Sequence, residues 1–95
     1  MEPISTGEIL KHELMEPLSM TEDQLARELN LPVGRIVDVL QGRGVVTAEM
    51  ALRLEKYFGV SAQFWLNLQS RYDLKIARRE MGPDIEAHVK ARRSA

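Results

Sequence analysis

Residues 25–40, LARELNLPVGRIVDVL, constrain this chain more than any other stretch. Leu25, Ala26 and Leu29 recur at helical spacing and form one apolar stripe; Ile36, Val39 and Leu40 form a second. Between them, Asn30, Leu31 and Pro32 leave room only for a tight turn. A connection this short cannot lay two helices side by side, so it predicts a crossed pair. Ala26 is small where the two helices must approach, and Leu31 can plug the core from the turn.

Capping signals place the other helices. The first is predicted over 7–16, with Thr6 as its cap, a partial stripe of Ile9, Leu10, Glu13 and Leu14, and Pro17 as its stop. Thr21 followed by Gln24 is a capping-box pattern that opens the second, which ends near Asn30. The third spans 33–41 and stops at Gly42. Thr47 caps the fourth, whose buried face is Met50, Ala51, Leu54 and Phe58 and whose stop is Gly59. Ser61 caps the fifth, which carries Trp65, Leu68, Tyr72 and Ile76 to about residue 80. Gly82-Pro83 is expected to break the chain there, leaving 84–93 as a short last helix or segment with Ile85, Val89 and Arg92 on one side. Nothing reads as a strand, and Trp65, Phe64 and Tyr72 read as core. The expected fold class is therefore all-α, with five helices and a short C-terminal addition. The expected organisation is a domain over 1–80 and a basic tail over 81–95.

The chain has no cysteine, so disulfides and thiolate metal sites are excluded, and an intracellular setting is favoured. No apolar run approaches the ~20 residues of a membrane span. The opening Met1-Glu2-Pro3-Ile4-Ser5 has neither the basic start nor the apolar core of a secretory signal. The net charge is −1, but it is unevenly placed. Residues 1–59 hold ten acids against six bases, net −4, and residues 60–95 hold four against seven, net +3.

A crossed pair of short helices is the shape that sets its second helix in a DNA major groove. With Ile36, Val39 and Leu40 turned inward, Val33, Gly34, Arg35, Val37, Asp38 and Gln41 are left outward. Arg35 is the candidate for a guanine contact, because its planar fork matches the O6 and N7 acceptors; a phosphate contact or a plain surface charge are the alternatives. Asp38 can accept from a cytosine amino group, repel phosphates, or pair with Arg35 three residues away. Gly34 costs ~1 kcal/mol relative to Ala inside a helix, a cost that close approach of backbone to DNA would offset. Arg27 and Arg43 flank the unit as further DNA-binding candidates, and Arg43 lies in the loop Gly42-Arg43-Gly44, where flexible backbone can reach a phosphate. Glu22 and Asp23 suit the helix dipole at the start of the second helix but oppose phosphate there.

Other chemistries fail on spacing. His12-Glu13 lacks the second histidine of a zinc-protease helix, since position 16 is Glu and the other histidine is His88. Gly42-Arg43-Gly44 lacks the spacing and lysine of a nucleotide loop. No nucleophile–base pairing stands out, and five aromatic residues are too few for a base-stacking platform. No metal, no cofactor and no enzymatic activity are expected.

These residues resemble the Cro/C1-type (XRE) helix-turn-helix family, and more closely its HigA-type antitoxins, also called virulence-associated protein I. The resemblance covers roughly 7–74. It is carried by Thr6-Gly7-Glu8-Ile9-Leu10, by the run from Gly42 through Thr47 to Leu54, and most distinctively by Phe64-Trp65-Leu66-Asn67-Leu68-Gln69-Ser70-Arg71-Tyr72-Asp73-Leu74. It implies a lambda-repressor-like domain and a homodimeric repressor bound to an inverted-repeat operator in its own promoter. It also implies a HigB-type, RelE-like messenger-RNA-cleaving toxin as partner, and a cytoplasmic, nucleoid-associated location. Two positions depart from the pattern: Gly34 stands where the family often has a polar residue, and Glu22 where it often has Gln. Both remove a DNA hydrogen bond, and the second adds repulsion. The alternatives are an orphan regulator of the same family and a protein-interaction module with weak DNA binding.

Overall fold

A computed structural model describes residues 3–92. Each helix starts where a hydroxyl can satisfy a free amide. The first cap is Ser5, not Thr6: its extended backbone lets Oγ accept from the Glu8 amide at 3.2 Å. Thr6 is instead the first residue of α1 (Thr6–Ile9) and is buried. The helix continues as a π-helical segment, Leu10–Met15, closed by the Glu16 amide donating to the Lys11 carbonyl at 2.9 Å. An α-helix would set residues five apart about 140° away from each other. The wider turn lets Leu10 and Met15 both reach the core.

The capping box forms as expected. Thr21 Oγ1 accepts from the Gln24 amide at 3.1 Å, and Gln24 Oε1 accepts from the Thr21 amide at 2.8 Å. It opens α2 (Glu22–Leu29), which ends at Asn30 in the left-handed region, with φ 56°. The Leu31 amide then donates to the Ala26 carbonyl at 2.9 Å, and the chain turns directly into α3 (Val33–Leu40). Thr47 caps α4 (Ala48–Phe58), which stops at Gly59, φ 79°. Ser61 caps α5 (Ala62–His88).

Gly82-Pro83 does not break the chain: α5 runs through both. Proline removes one N–H from the helical ladder, but this stretch lies on an exposed part of the helix, where water can take up the lost bond. The predicted last helix is accordingly the end of α5. Val89 caps it, its amide bonded to the Ile85 carbonyl at 2.8 Å, and residues 90–92 are not helical. Met1, Glu2 and Arg93 lie outside the described residues.

Leu25, Ala26 and Leu29 from α2 meet Ile36 and Val39 from α3, Met50, Ala51 and Leu54 from α4, and Trp65 from α5 in one core. Leu40 and Phe58 are half-buried at its edge. Phe64 departs from expectation: it stays 43% exposed, edge-on to Trp65 with ring centroids 5.3 Å apart. Among the glycines the tightest position is Gly7, where an added Cβ would lie 2.0 Å from the Val39 carbonyl oxygen. That contact seats α1 on the backbone of α3. No strand occurs among the described residues.

Candidate nucleic-acid interface

The core contacts that bury Ile36 and Val39 turn the opposite side of α3 to solvent. Val33, Gly34, Asp38 and Gln41 are exposed there, while Arg35 and Val37 are half-buried. Gly34 has open space where a Cβ would stand. Arg27, in the last turn of α2, shares a shallow groove with Asp23, Pro32 and Val33 at the junction of α2 and α3.

The arginines divide by partner. Arg43 Nη2 lies 3.1 Å from Asp38 Oδ1, and Arg43 Nη1 donates to Gln41 Oε1. The same Asp38 accepts the Arg43 and Gly44 amides on its main-chain carbonyl, at 2.8 and 3.0 Å, as Gly42 takes φ 78°. The loop after α3 thus folds Arg43 back onto α3. Asp38 pairs with Arg43 and not with Arg35, because Arg35 points toward α4. There Nη1 meets Glu49 Oε1 at 3.4 Å and Nη2 meets Thr47 Oγ1 at 3.3 Å. Arg27 is exposed and forms no ion pair among the described residues. The structure therefore gathers Arg27 with Val33 and Asp38 with Arg43, and holds Arg35 apart beside α4.

Sequence reasoning missed three supporting residues. Arg53 donates from Nη1 to the carbonyls of Leu29 (2.9 Å) and Asn30 (3.5 Å), which end α2, and from Nη2 to Glu49 Oε2 at 3.0 Å. Glu49 and Arg53 are four residues apart on one helix, the spacing of a surface ion pair, which was the available signal. The Arg53 hydrogen bond, and after it that of Arg35, holds the Glu49 carboxyl below its usual range. Gln69 is the third. Its Oε1 accepts the Val46 amide at 3.0 Å, tying the loop after α3 to α5, and its Nε2 donates to Asp73 Oδ1 at 2.9 Å. This contact gives the Phe64–Leu74 run a structural role that its sequence does not disclose.

His12 contacts Glu16 at 2.9 Å, and His88 contacts the Asp84 carbonyl at 2.9 Å. Among the described residues, no three His, Cys, Asp or Glu side chains stand close enough to hold a metal. No helix of these residues is long and apolar enough to cross a membrane.

An all-helical body that offers one short helix across a tight turn, with arginines at its flanks, is a helix-turn-helix protein. A helix-turn-helix family model matches residues 12–65. The chain is 41% identical over 80 residues to virulence-associated protein I of Dichelobacter nodosus, spanning 84% of this chain and 74% of that protein. An addiction module antidote protein of the HigA family from Coxiella burnetii, a solved structure, is 44% identical. It superposes with a TM-score of 0.90 over 97% of this chain and 100% of its own. Pseudomonas aeruginosa antitoxin HigA, solved with the higBA promoter, is 38% identical with a TM-score of 0.90, over 94% and 97% of the two chains. The chain belongs to the Cro/C1-type helix-turn-helix family, in its HigA-type antitoxin group. That family comprises DNA-binding regulators and antitoxins, not enzymes.

Proposed function

We propose that this chain is the antitoxin of a toxin–antitoxin pair, repressing its own operon as a dimer and neutralising a HigB/RelE-like messenger-RNA-cleaving toxin. The observation that carries the reading is the outward face of α3 at the tight turn, in a chain whose relative from Pseudomonas aeruginosa was solved with promoter DNA. In this reading Val33, Gly34, Arg35 and Asp38 face the bases, and Arg27 and Arg43 face phosphates. The setting is the cytoplasm, at the nucleoid.

A second copy is favoured by α5. Leu74, Met81, Ile85 and Val89 recur along one side of that helix and its cap, each about half exposed or more. Two copies packed antiparallel about Met81 would cover this side of each helix with that of the other, an isologous arrangement. Residues 1–80 then carry DNA reading, and the face of α5 from Leu74 to Val89 carries assembly. Two recognition helices on an inverted repeat would stand about 34 Å apart, one duplex turn.

The second reading is an interaction module that binds DNA weakly. It is favoured by the carboxylates already paired with Arg35 and Arg43, and by Glu22 and Asp23 exposed at the start of α2. A gel shift on the chain's own promoter, repeated over a salt series, separates the two. A repressor retains a promoter preference over scrambled duplex near physiological salt; a shift that is equal on both duplexes and vanishes with salt leaves only the interaction module. Co-purification with the product of an adjacent toxin-like reading frame tests the partner. A chain that prefers its promoter but captures no such product is an orphan regulator.

A further inference from the structure

Beside α3, polar groups link the end of α2 to the recognition helix without a gap. The Leu29 carbonyl receives Arg53, Arg53 holds one oxygen of Glu49, and the other oxygen of Glu49 holds Arg35. Thr47 joins from the side. A hydroxyl oxygen has two acceptor sites, and Thr47 uses both, one for the Met50 amide that it caps and one for Arg35 Nη2. The Arg35 side chain is 37% exposed, so its guanidinium can be reached by solvent while it is held.

We propose that Glu49 is a positioning residue that competes with DNA for Arg35: it tethers Arg35 to the start of α4, so that every DNA contact of Arg35 must first displace it. The inference rests on the reading of α3 as the DNA-facing helix. An exposed ion pair contributes little, so a guanine edge that accepts both arms of the fork displaces Glu49 readily. A single phosphate oxygen exchanges one anionic partner for another and gains almost nothing. The tether must be broken for either contact, so it takes the same amount from both and lowers the affinity of any duplex that engages Arg35. Glu49 can do this because it is not a loose surface carboxylate. Arg53 fixes its second oxygen, and the α2 carbonyls fix Arg53.

Glu49→Asp tests the tether without changing charge. The shorter side chain cannot span a contact already at 3.4 Å, and Asp is well suited to the first turn of a helix, so circular dichroism should report an intact fold. The probes are a duplex recovered by selection from a random library and a scrambled duplex of the same composition. The expected result is a rise of about two- to fivefold in affinity for the selected duplex, the worth of an exposed ion pair, with no larger rise on the scrambled duplex. In an Arg35→Ala background, Glu49→Asp should change neither affinity. A wild-type chain that discriminates, with its selected-duplex affinity unmoved by Glu49→Asp or still raised by it without Arg35, overturns the tether alone. A wild-type chain that selects no sequence overturns the DNA-facing reading of α3, and the tether with it.

Discussion

Gly7 and Val39 meet backbone to backbone: a Cβ on Gly7 would sit 2.0 Å from the Val39 carbonyl oxygen and 2.8 Å from the Leu40 Cα. Neither neighbour is a flexible side chain that could move aside. Gly7→Ala must therefore push α1 off α3, and overpacking of this kind costs about 1–3 kcal/mol. For a chain of this size that lowers the melting temperature by roughly 4–8 °C per kcal/mol. A thermal melt within 2 °C or so of wild type (about 0.5 kcal/mol at that scaling) would show that the helices are not seated on this contact.

Gly34 is the opposite case. Its Cβ position is open, and replacing glycine by alanine in an unstrained helix stabilises by about 0.4–1 kcal/mol. Gly34→Ala should raise the denaturation midpoint. If the backbone of α3 comes close to DNA at this point, the same variant should lose operator affinity; an unchanged gel shift removes Gly34 from the interface.

Among the described residues Arg27 has no ion pair that a phosphate would have to displace. Arg27→Ala should weaken selected and scrambled duplexes by the same factor, and reduce the slope of log affinity against log salt by about 0.9, one phosphate contact. A loss confined to the selected duplex would instead make Arg27 a base reader.

Glu49 gives a pH signature. Its carboxyl is held below the usual 4.5 by Arg53 and Arg35, so the folded state binds its proton less tightly than the unfolded state does. The resulting stability is present above the ordinary carboxylate range and is lost as pH falls through the lowered value. The difference in melting temperature between wild type and Glu49→Gln should shrink as pH drops below 4.5. A difference constant with pH would mean that Glu49 is not drawn to its arginines in solution.

Met81 sits at the centre of the exposed side of α5. Met81→Asp should leave the melting behaviour of the body intact and convert a dimer to a monomer in light scattering at micromolar concentration. A variant that stays dimeric places the interface elsewhere.

Most of the fold was legible because it is written in local signals. Thr21 with Gln24, Asn30, Thr47, Gly59 and Ser61 each act within a few residues of their own position, and each does what its type predicts. The misses need information from farther away. Thr6 lost the first cap to its neighbour Ser5 because the chain enters α1 extended one residue earlier. Pro83 is tolerated because it lies on an exposed stretch of α5, which a proline cannot announce. Phe64 and Trp65 are adjacent and similar in type, yet only the latter points into the core. At the candidate site the outward residues of α3 followed from periodicity. The partners of Arg35 and Asp38 did not, since Glu49 and Arg43 reach them by tertiary folding and loop geometry.

The Gln69 contact has a mechanical consequence. The Val46 amide that it holds lies three residues beyond Arg43, while Gln69 itself sits on the same rigid rod as Met81 and Ile85. Whatever grips the far end of that rod pulls on the loop after α3 unless this hydrogen bond gives way. In the proposed repressor, a grip on the far end of α5 and a hold on DNA would therefore not be independent loads, and Gln69 would transmit one to the other.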